Sequence, residues 1–377
     1  MNREIAYLDY NATAPAKPEV IVEVSRIMTD GGNPSSVHSV GRRAKSILEK
    51  ARTDIALMLN ARPQMVIFTS GGTEANNIAL KSLDLDNIII SATEHDSILQ
   101  IAENLSLNVE SSNVEICPVD ENGLVREEAL DKILSGKKGK TLVSIMLANN
   151  ETGVIQDIKT LSTLVHEKGA LMHTDAIQAF GKIPLDFKAL GVDMMSLSAH
   201  KIGGPQGVGA LIAHESLKIT PLIAGGGQEV GRRSGTENLA GIAGFAKAVE
   251  LVPQSLQKMD FLGQERDRME GEISQFSNEV IFFGKNSPRL PNTSLILMPE
   301  ILSETQVMAF DLENICISSG SACSSGKVKP SHVIAAMGGS ERAARSTIRF
   351  SLGWNSSSED VDRFVAAWIK LYSRKKV

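Results

Sequence analysis

The spacing of apolar residues along the chain changes period near residue 65. Before that point Val20, Ile21, Val24, Ile27 and Met28 recur at helical spacing within 17–29, and Val40, Ala44, Ile47, Ala51, Ile55 and Leu59 line one side of a second helix. Gly31-Gly32-Asn33-Pro34-Ser35-Ser36 separates them as a loop, because paired glycines and Asn-Pro interrupt a helix. Residues 7–15 read as a short strand and a turn. From Met65 short apolar runs alternate with helical stretches. Strands are predicted over 65–69, 87–91, 114–119, 141–147, 170–174 and 192–197, with helices over 73–82, from 97, over 126–134 and over 158–168. Such alternation needs crossover connections, hence a mostly parallel sheet covered on both faces. A long helix is predicted around 244–251. Beyond it, strands at 280–283, 294–297 and 347–352 and helices over 304–314 and from 358 read as a smaller α+β unit. No internal repeat or low-complexity segment interrupts this order.

A chain of 377 residues is too long for one simple core, so two domains are expected. An apolar fraction of 42% and a charged fraction of 22% describe a soluble globular protein. The net charge of −5 is mild and argues against nucleic acid or an anionic membrane as partner. Residues 1–6 lack an apolar signal core, and no apolar run is long enough to span a bilayer. The three cysteines, Cys117, Cys316 and Cys323, form neither a C-x-x-C pair nor an even disulfide framework, which places the chain in a reducing cytoplasm.

Ligands of open α/β sheets sit off the carboxyl ends of the strands, and several polar clusters fall at such ends. Ser196-Leu-Ser198-Ala-His200-Lys201-Ile-Gly-Gly-Pro205 ends a strand in small hydroxylated residues, a lysine and glycines. That lysine suits covalent anchoring of an aldehyde cofactor, with Ser198 and His200 beside a phosphate; an exposed lysine in a hairpin over 202–207 is the alternative. In Thr69-Ser-Gly-Gly72-Thr73-Glu-Ala-Asn-Asn77, glycines between strand and helix let backbone N–H groups approach a phosphate. The stretch lacks the Lys-Ser/Thr of a P-loop and the dinucleotide spacing, and a glycine turn with a threonine cap is its plain alternative. His95, in Thr93-Glu94-His95-Asp96, could stack on a flat ring or simply cap a helix. Asn150 lies in Asn149-Asn-Glu-Thr-Gly153, and Asp175 and Gln178 lie in His173-Thr-Asp-Ala-Ile-Gln178. An aspartate beneath a pyridine ring would pair with its protonated nitrogen, and Asn150 and Gln178 would donate to a ring oxygen. A single His-x-Asp without a third ligand is a weak metal signal, so no metal is expected. The loop over 225–238, with Arg232, Arg233 and Thr236, suits an anion or is a solvated basic loop.

Taken together these motifs resemble the pyridoxal-phosphate cysteine desulfurases of the class V, fold-type I aminotransferases. The resemblance runs from Tyr7-Leu-Asp-Tyr-Asn-Ala-Thr-Ala-Pro15 to Arg349-Phe-Ser-Leu-Gly353. It is carried by Gly32-Asn-Pro-Ser-Ser-Val-His38, Thr93-Glu-His95, Asn149–Gly153, His200-Lys201, Arg233-Ser-Gly-Thr236 and Ser319-Gly-Ser-Ala-Cys323. It implies a large cofactor-binding α/β domain over 16–250 and a small α+β domain of 1–15 and 251–377 bearing the cysteine loop. It implies pyridoxal 5'-phosphate held covalently by Lys201, with Asp175 at the ring nitrogen and His95 stacked on the ring. Gln178 and Asn150 then lie near the ring oxygen, and Gly72, Thr73, Ser198 and His200 hold the phosphate. Thr236 reaches that phosphate from a second subunit of a homodimer, and Arg349 with Asn33 takes the substrate carboxylate.

Cys323, in a loop of small residues with lysines, is then the nucleophile that receives sulfur from L-cysteine. Cys117 and Cys316 read as buried small hydrophobes. Alanine is released, and the persulfide passes to a sulfur-acceptor protein, an iron–sulfur scaffold or a sulfur carrier. A selenocysteine lyase or an aminotransferase on the same fold is the alternative; Cys323 distinguishes the aminotransferase. Two departures stand out. The tail 373–377 is shorter than that of relatives that use a further segment to dock a cluster scaffold, and Trp354 stands where many relatives have Arg.

Overall fold

The computed structural model describes residues 5–107, 113–320 and 330–374. The chain enters through a two-residue strand, β1 (Ala6–Tyr7), followed by α1 (Pro18–Asp30) and α2 (Ser39–Met58). Pro18 starts α1 with its φ already fixed, and the His38 ring caps α2 by accepting from the Gly41 N–H. The alternating region then runs β2 (Val66–Thr69), α3 (Gly72–Lys81), β3 (Asn87–Ser91), α4 (Asp96–Ser106), β4 (Asn113–Cys117) and α5 (Glu127–Ser135). It continues through β5 (Thr141–Ser144), α6 (Ile158–Glu167), β6 (Leu171–Asp175), the short α7 (Phe187–Leu190), β7 (Met194–Ser198) and β8 (Gly209–Ala213).

These strands form one seven-stranded sheet in the order β2-β8-β7-β6-β5-β3-β4. All its pairings are parallel except those of β8, which runs antiparallel to both β2 and β7. Every residue of β2, β3, β5, β7 and β8 is buried, as helices on both faces require. The two-residue period sorts side chains between the faces. Ile89 joins the core beneath α1, α2 and a later helix, while Ile88 and Ile90 join the opposite core with Ile78, Ile98 and Leu211. Strand β8 was not legible in the sequence, because Gly207 and Gly209 around its start read as continuation of a turn.

The helix expected around 244–251 is α8 (Leu239–Glu250), and a second long helix, α9 (Val252–Phe276), follows at once. The remainder comprises β9 (Ile281–Phe283), β10 (Thr293–Leu297), α10 (Ser303–Asp311), β11 (Ile315–Cys316), β12 (Ser318–Ser319), α11 (His332–Ala336), α12 (Glu341–Arg345), β13 (Thr347–Ser351) and α13 (Ser358–Ser373). An antiparallel sheet in the order β12-β13-β10-β9 packs with α13 around Phe310, Phe350, Phe364 and Trp368. Ser357 and Asp360 close a reciprocal capping box at the start of α13. Ala6 and Leu8 belong to this second core, because β1 pairs in parallel with β11.

The segment after β1 therefore leaves the small sheet and crosses to the large one. Asn11 N–H donates to Ser351 Oγ at 3.0 Å, and Ala14 N–H donates to the His200 carbonyl at 2.9 Å. Trp354 is accounted for here: its indole N–H donates to the Pro15 carbonyl at 2.9 Å, tying the end of β13 to the same crossing segment.

Candidate active site

Strand direction decides where the polar clusters meet. Because β2, β3, β5, β6 and β7 point the same way, their carboxyl ends share one edge of the sheet. A pocket of about 240 Å³ opens there, lined by Gly72 and Thr73 after β2, His95 after β3, and Asn150 after β5. Asp175 and Gln178 follow β6, and Ser198, His200 and Lys201 follow β7. A groove of about 790 Å³ between β1 and α13 is larger but shares none of these residues.

One wall of the pocket is the N-terminus of α3, whose unpaired N–H groups and dipole favour an anion. Gly72 is there because a Cβ would lie 2.0 Å from Ile177 Cδ1. Gly209, at the start of β8, is needed for a similar reason: its Cβ would meet the Gly71 backbone at 2.8 Å. Without β8 beginning in a glycine, the Gly71 turn could not lie against the start of that strand. Opposite, Ser198 Oγ is buried and has no hydrogen-bond partner among the described residues, which is what a hydroxyl awaiting an oxyanion looks like. The His200 ring meets Thr13 Oγ1 at 3.1 Å, and burial together with the Lys201 charge pulls its pKa down to about 4.

Asp175 is buried at the end of β6 and answered by neutral donors, Asn76 Nδ2 at 2.8 Å and the Ile177 N–H at 2.9 Å. Burial raises its pKa against those hydrogen bonds. The carboxylate is thus placed where a cationic partner would be favoured. The same Asn76 Nδ2 also donates to Ser97 Oγ at 2.9 Å, and Ser97 Oγ and N–H lie 2.9 and 3.1 Å from His95 Nδ1. Since the backbone N–H can only donate, Nδ1 accepts, and the proton of neutral His95 sits on Nε2. Partial burial against the pocket lowers the His95 pKa, Asp175 opposing and Lys201 acting in the same sense.

Lys201 follows β7 in a short 3-10 turn, Ala199–Lys201. Its Nζ donates to the carbonyls of Asn11 and Ala12 at 2.6 and 2.7 Å. Burial, and then the Arg349 charge, pulls this amine from 10.5 to about 8. Arg349 does not line the pocket itself but donates Nη1 to the carbonyl of Asn150, which does, at 3.2 Å. Asn33 and Thr236 are exposed and lie outside the lining of this chain's pocket.

Cys323 falls outside the described residues. The residues on either side of its segment are placed beside the site. Ser331 Oγ donates to Glu151 Oε2 at 2.6 Å, the His332 ring meets the Glu94 carbonyl at 2.9 Å, and a Cβ on Gly320 would lie 2.9 Å from the same Glu151 oxygen. Cys117 is buried, with its thiol pushed up to about 12, whereas Cys316 is half-buried rather than fully enclosed. The His173 ring is buried between Ser144 Oγ at 2.8 Å and Ser196 Oγ at 3.0 Å.

Sequence reasoning missed Asn11, Asn76 and Lys182. The signal for Lys182 was present, a lysine between the apolar Phe180 and Ile183 four residues after Gln178, and it is buried. Asn11 and Asn76 carried no local signal separating them from ordinary turn and helix residues.

The aminotransferase class-V family matches residues 6–364. The chain belongs to that family. A cysteine desulfurase IscS of Dictyoglomus turgidum is 41% identical over 96% of this chain and 93% of its own length. The structure of a NifS-like protein from Rickettsia africae superposes with a TM-score of 0.91 at 38% identity, covering 98% of this chain and 100% of that one. A structure described as SspA in complex with cysteine superposes with a TM-score of 0.79 at 32% identity over 93% of this chain and 99% of that one.

Proposed function

We propose that this chain is a pyridoxal 5'-phosphate-dependent cysteine desulfurase that converts L-cysteine to L-alanine and takes the sulfur onto Cys323 as a persulfide. The observation that carries the reading is Lys201 and Asp175 in one pocket at the N-terminus of α3, in a chain whose relatives bear that name. The pocket's own chemistry fits the cofactor. The α3 N-terminus, Gly72, Thr73, the unpartnered Ser198 hydroxyl and His200 would hold the phosphate, and the buried Asp175 carboxylate would face the ring nitrogen. His95 would cover the ring, Gln178 and Asn150 would meet its oxygen, and Lys201 would carry it covalently.

When bound, the cofactor supplies a protonated ring that draws electron density from the substrate's α-carbon. The rest falls to this chain's own side chains. Arg349, with Asn33, holds the substrate carboxylate and orients the molecule. Lys201 takes the α-proton as the general base. The Cys323 thiolate attacks the substrate sulfur; the S–S bond forms as the C–S bond breaks, the β-carbon keeps the electron pair and gains a proton, and the α-carbon regains the proton that Lys201 removed, leaving alanine. The persulfide then passes to an acceptor protein, an iron–sulfur scaffold or a sulfur carrier. Ser331 and His332 are held at Glu151 and Glu94, the sequence neighbours of the pocket residues Asn150 and His95.

The working unit in this reading is a homodimer, with Thr236 of the partner subunit completing each phosphate site. Exposed Ile21, Val22 and Met28 on α1 and Val37 and Val40 at the entry to α2 support it, since a lone soluble chain rarely leaves such a set in water. Residues 16–250 form the cofactor unit, and 1–15 with 251–377 form the small one; the separate core around Trp368 supports that division. The two described cysteines are unbridged, in keeping with a cytoplasmic protein.

The test is to load the protein with pyridoxal phosphate, add L-cysteine and reductant, and measure sulfide and alanine together. Equal yields support the reading; a keto acid in place of alanine overturns it in favour of an aminotransferase.

A further inference from the structure

Lys182 is a buried lysine with no part in the chemistry above. Its Nζ donates to Gln178 Oε1 at 2.7 Å and to Asn11 Oδ1 at 2.6 Å. Gln178 Nε2 in turn donates to the Asn11 carbonyl at 2.9 Å, the same oxygen that receives the Lys201 amine at 2.6 Å. The amide of Gln178 is therefore specified from both ends. The lysine requires an oxygen on one side, and the backbone carbonyl requires an N–H on the other. Turning the amide over would set its oxygen against the Asn11 carbonyl oxygen, a repulsive contact, and would give up the hydrogen bond that Lys182 donates to Gln178 Oε1. Burial holds the Lys182 pKa far below its usual value, with Lys201 and Arg349 acting in the same sense. Whether it carries two hydrogens or three, the amine has one for each acceptor.

The amide nitrogen has a second hydrogen, and Gln178 lines the pocket. We propose that Lys182 is a positioning residue, locking Gln178 so that an N–H rather than a carbonyl oxygen faces the pocket, where it meets the phenolate oxygen of the cofactor. The proposal rests on the cofactor assignment made above. It gives a buried lysine a role exercised wholly through its neighbour: without Lys182 the amide is held by the Asn11 carbonyl alone. The same pair of contacts joins the Gln178 side chain to Asn11, which also seats Lys201, so one hub aligns both groups.

The test compares Lys182→Met, Gln178→Met and the double variant, each loaded with pyridoxal phosphate, by titrating the visible absorption band with pH. A donor that stabilises the negative ring oxygen weakens that oxygen's hold on a nearby proton. Its loss moves the band's midpoint upward by about one pH unit, the size of one charge-assisted hydrogen bond. The proposal expects equal upward shifts in both single variants and no further shift in the double one. A wild-type titration in Lys182→Met, or shifts that add in the double variant, would overturn it, even if Lys182→Met also melts earlier.

If Lys182→Met does not fold, the cofactor-free wild type answers instead through spectra of protein labelled with ¹⁵N-glutamine. The Gln178 side-chain NH₂, assigned by its absence in Gln178→Met, should give two distinct and slowly exchanging protons. Averaged or fast-exchanging protons would show an amide that is not locked and would overturn the proposal. Wild type that takes up no pyridoxal phosphate would instead remove the cofactor assignment, while the glutamine spectra would still decide whether the amide is locked.

Discussion

Arg349 donates Nη2 to Asp9 Oδ1 at 2.7 Å, across the gap between β13 and the segment that leaves β1. The guanidinium is buried, and its Nε has no partner among the described residues. A planar donor held at Nη2 by Asp9 and at Nη1 by the Asn150 carbonyl is oriented in advance for a carboxylate, which a lysine cannot match. Arg349→Lys is therefore expected to raise KM for L-cysteine roughly 10- to 100-fold, the cost of one or two hydrogen bonds to a charged group. The visible spectrum of the bound cofactor should be unchanged. Steady-state kinetics with an absorption scan check both, and an unaltered KM would remove Arg349 from the substrate site.

The Lys201 amine titrates at about 8 in the cofactor-free protein, against 10.5 for an ordinary lysine. Only the neutral amine reacts with an acylating reagent. Labelling of Lys201 should accordingly rise with pH around a midpoint near 8, while exposed lysines keep rising well above it. Competitive labelling read by peptide mass spectrometry makes the measurement. A Lys201 midpoint among the surface lysines would mean that burial and Arg349 do not tune it.

Cys323→Ser should bind cofactor and substrate but release almost no sulfide, because a hydroxyl is far less acidic than a thiol and a poor nucleophile toward sulfur. Wild type given cysteine without an acceptor should carry one extra sulfur atom at Cys323, removable by reductant and visible in the intact mass. Full sulfide release by the serine variant would point to a thiol-independent lyase.

His173 bears on acid stability. Burial lowers its pKa from 6.5 to about 3, with its ring nitrogens 2.8 Å from Ser144 Oγ and 3.0 Å from Ser196 Oγ. The folded value lies below the unfolded one, so as pH falls below about 6.5 the unfolded chain takes up a proton that the folded chain refuses. Stability from this group is complete above pH 6.5 and is lost by about 1.4 kcal/mol per pH unit toward pH 3. Denaturant unfolding between pH 7 and 5 should show a shallower pH slope in His173→Asn than in wild type. Equal slopes would show that the histidine is not excluded from protonation in the fold.

Val22 and Met28 are 69% and 72% exposed on α1. If that face joins two copies, Val22→Glu with Met28→Glu should shift sedimentation from dimer toward monomer and lower activity with it, since charges at an apolar contact are left unpaired. A wild type that sediments as an active monomer would dispose of the shared phosphate site.

The amino-acid sequence by itself determined the alternation of strand and helix, the parallel sheet, and the pocket residues Gly72, Thr73, His95, Asn150, Asp175, Gln178, Ser198, His200 and Lys201. Hydrophobic period is local, so the elements can be read from it, and crossovers bring strand ends to one edge; which residues there make one site came from the resemblance of their motifs to the class V aminotransferases. Tertiary structure alone decided that β8 runs against its neighbours, since its glycines look like turn until β2 and β7 flank it. It alone decided that Asn11 seats an amine 190 positions away, that Asn76 joins Asp175 to Ser97, and that Lys182 is enclosed. None of these is set by neighbours in sequence. A lysine is buried or solvated according to what packs over it, and an asparagine becomes a hub only when distant donors and acceptors converge on its few polar atoms.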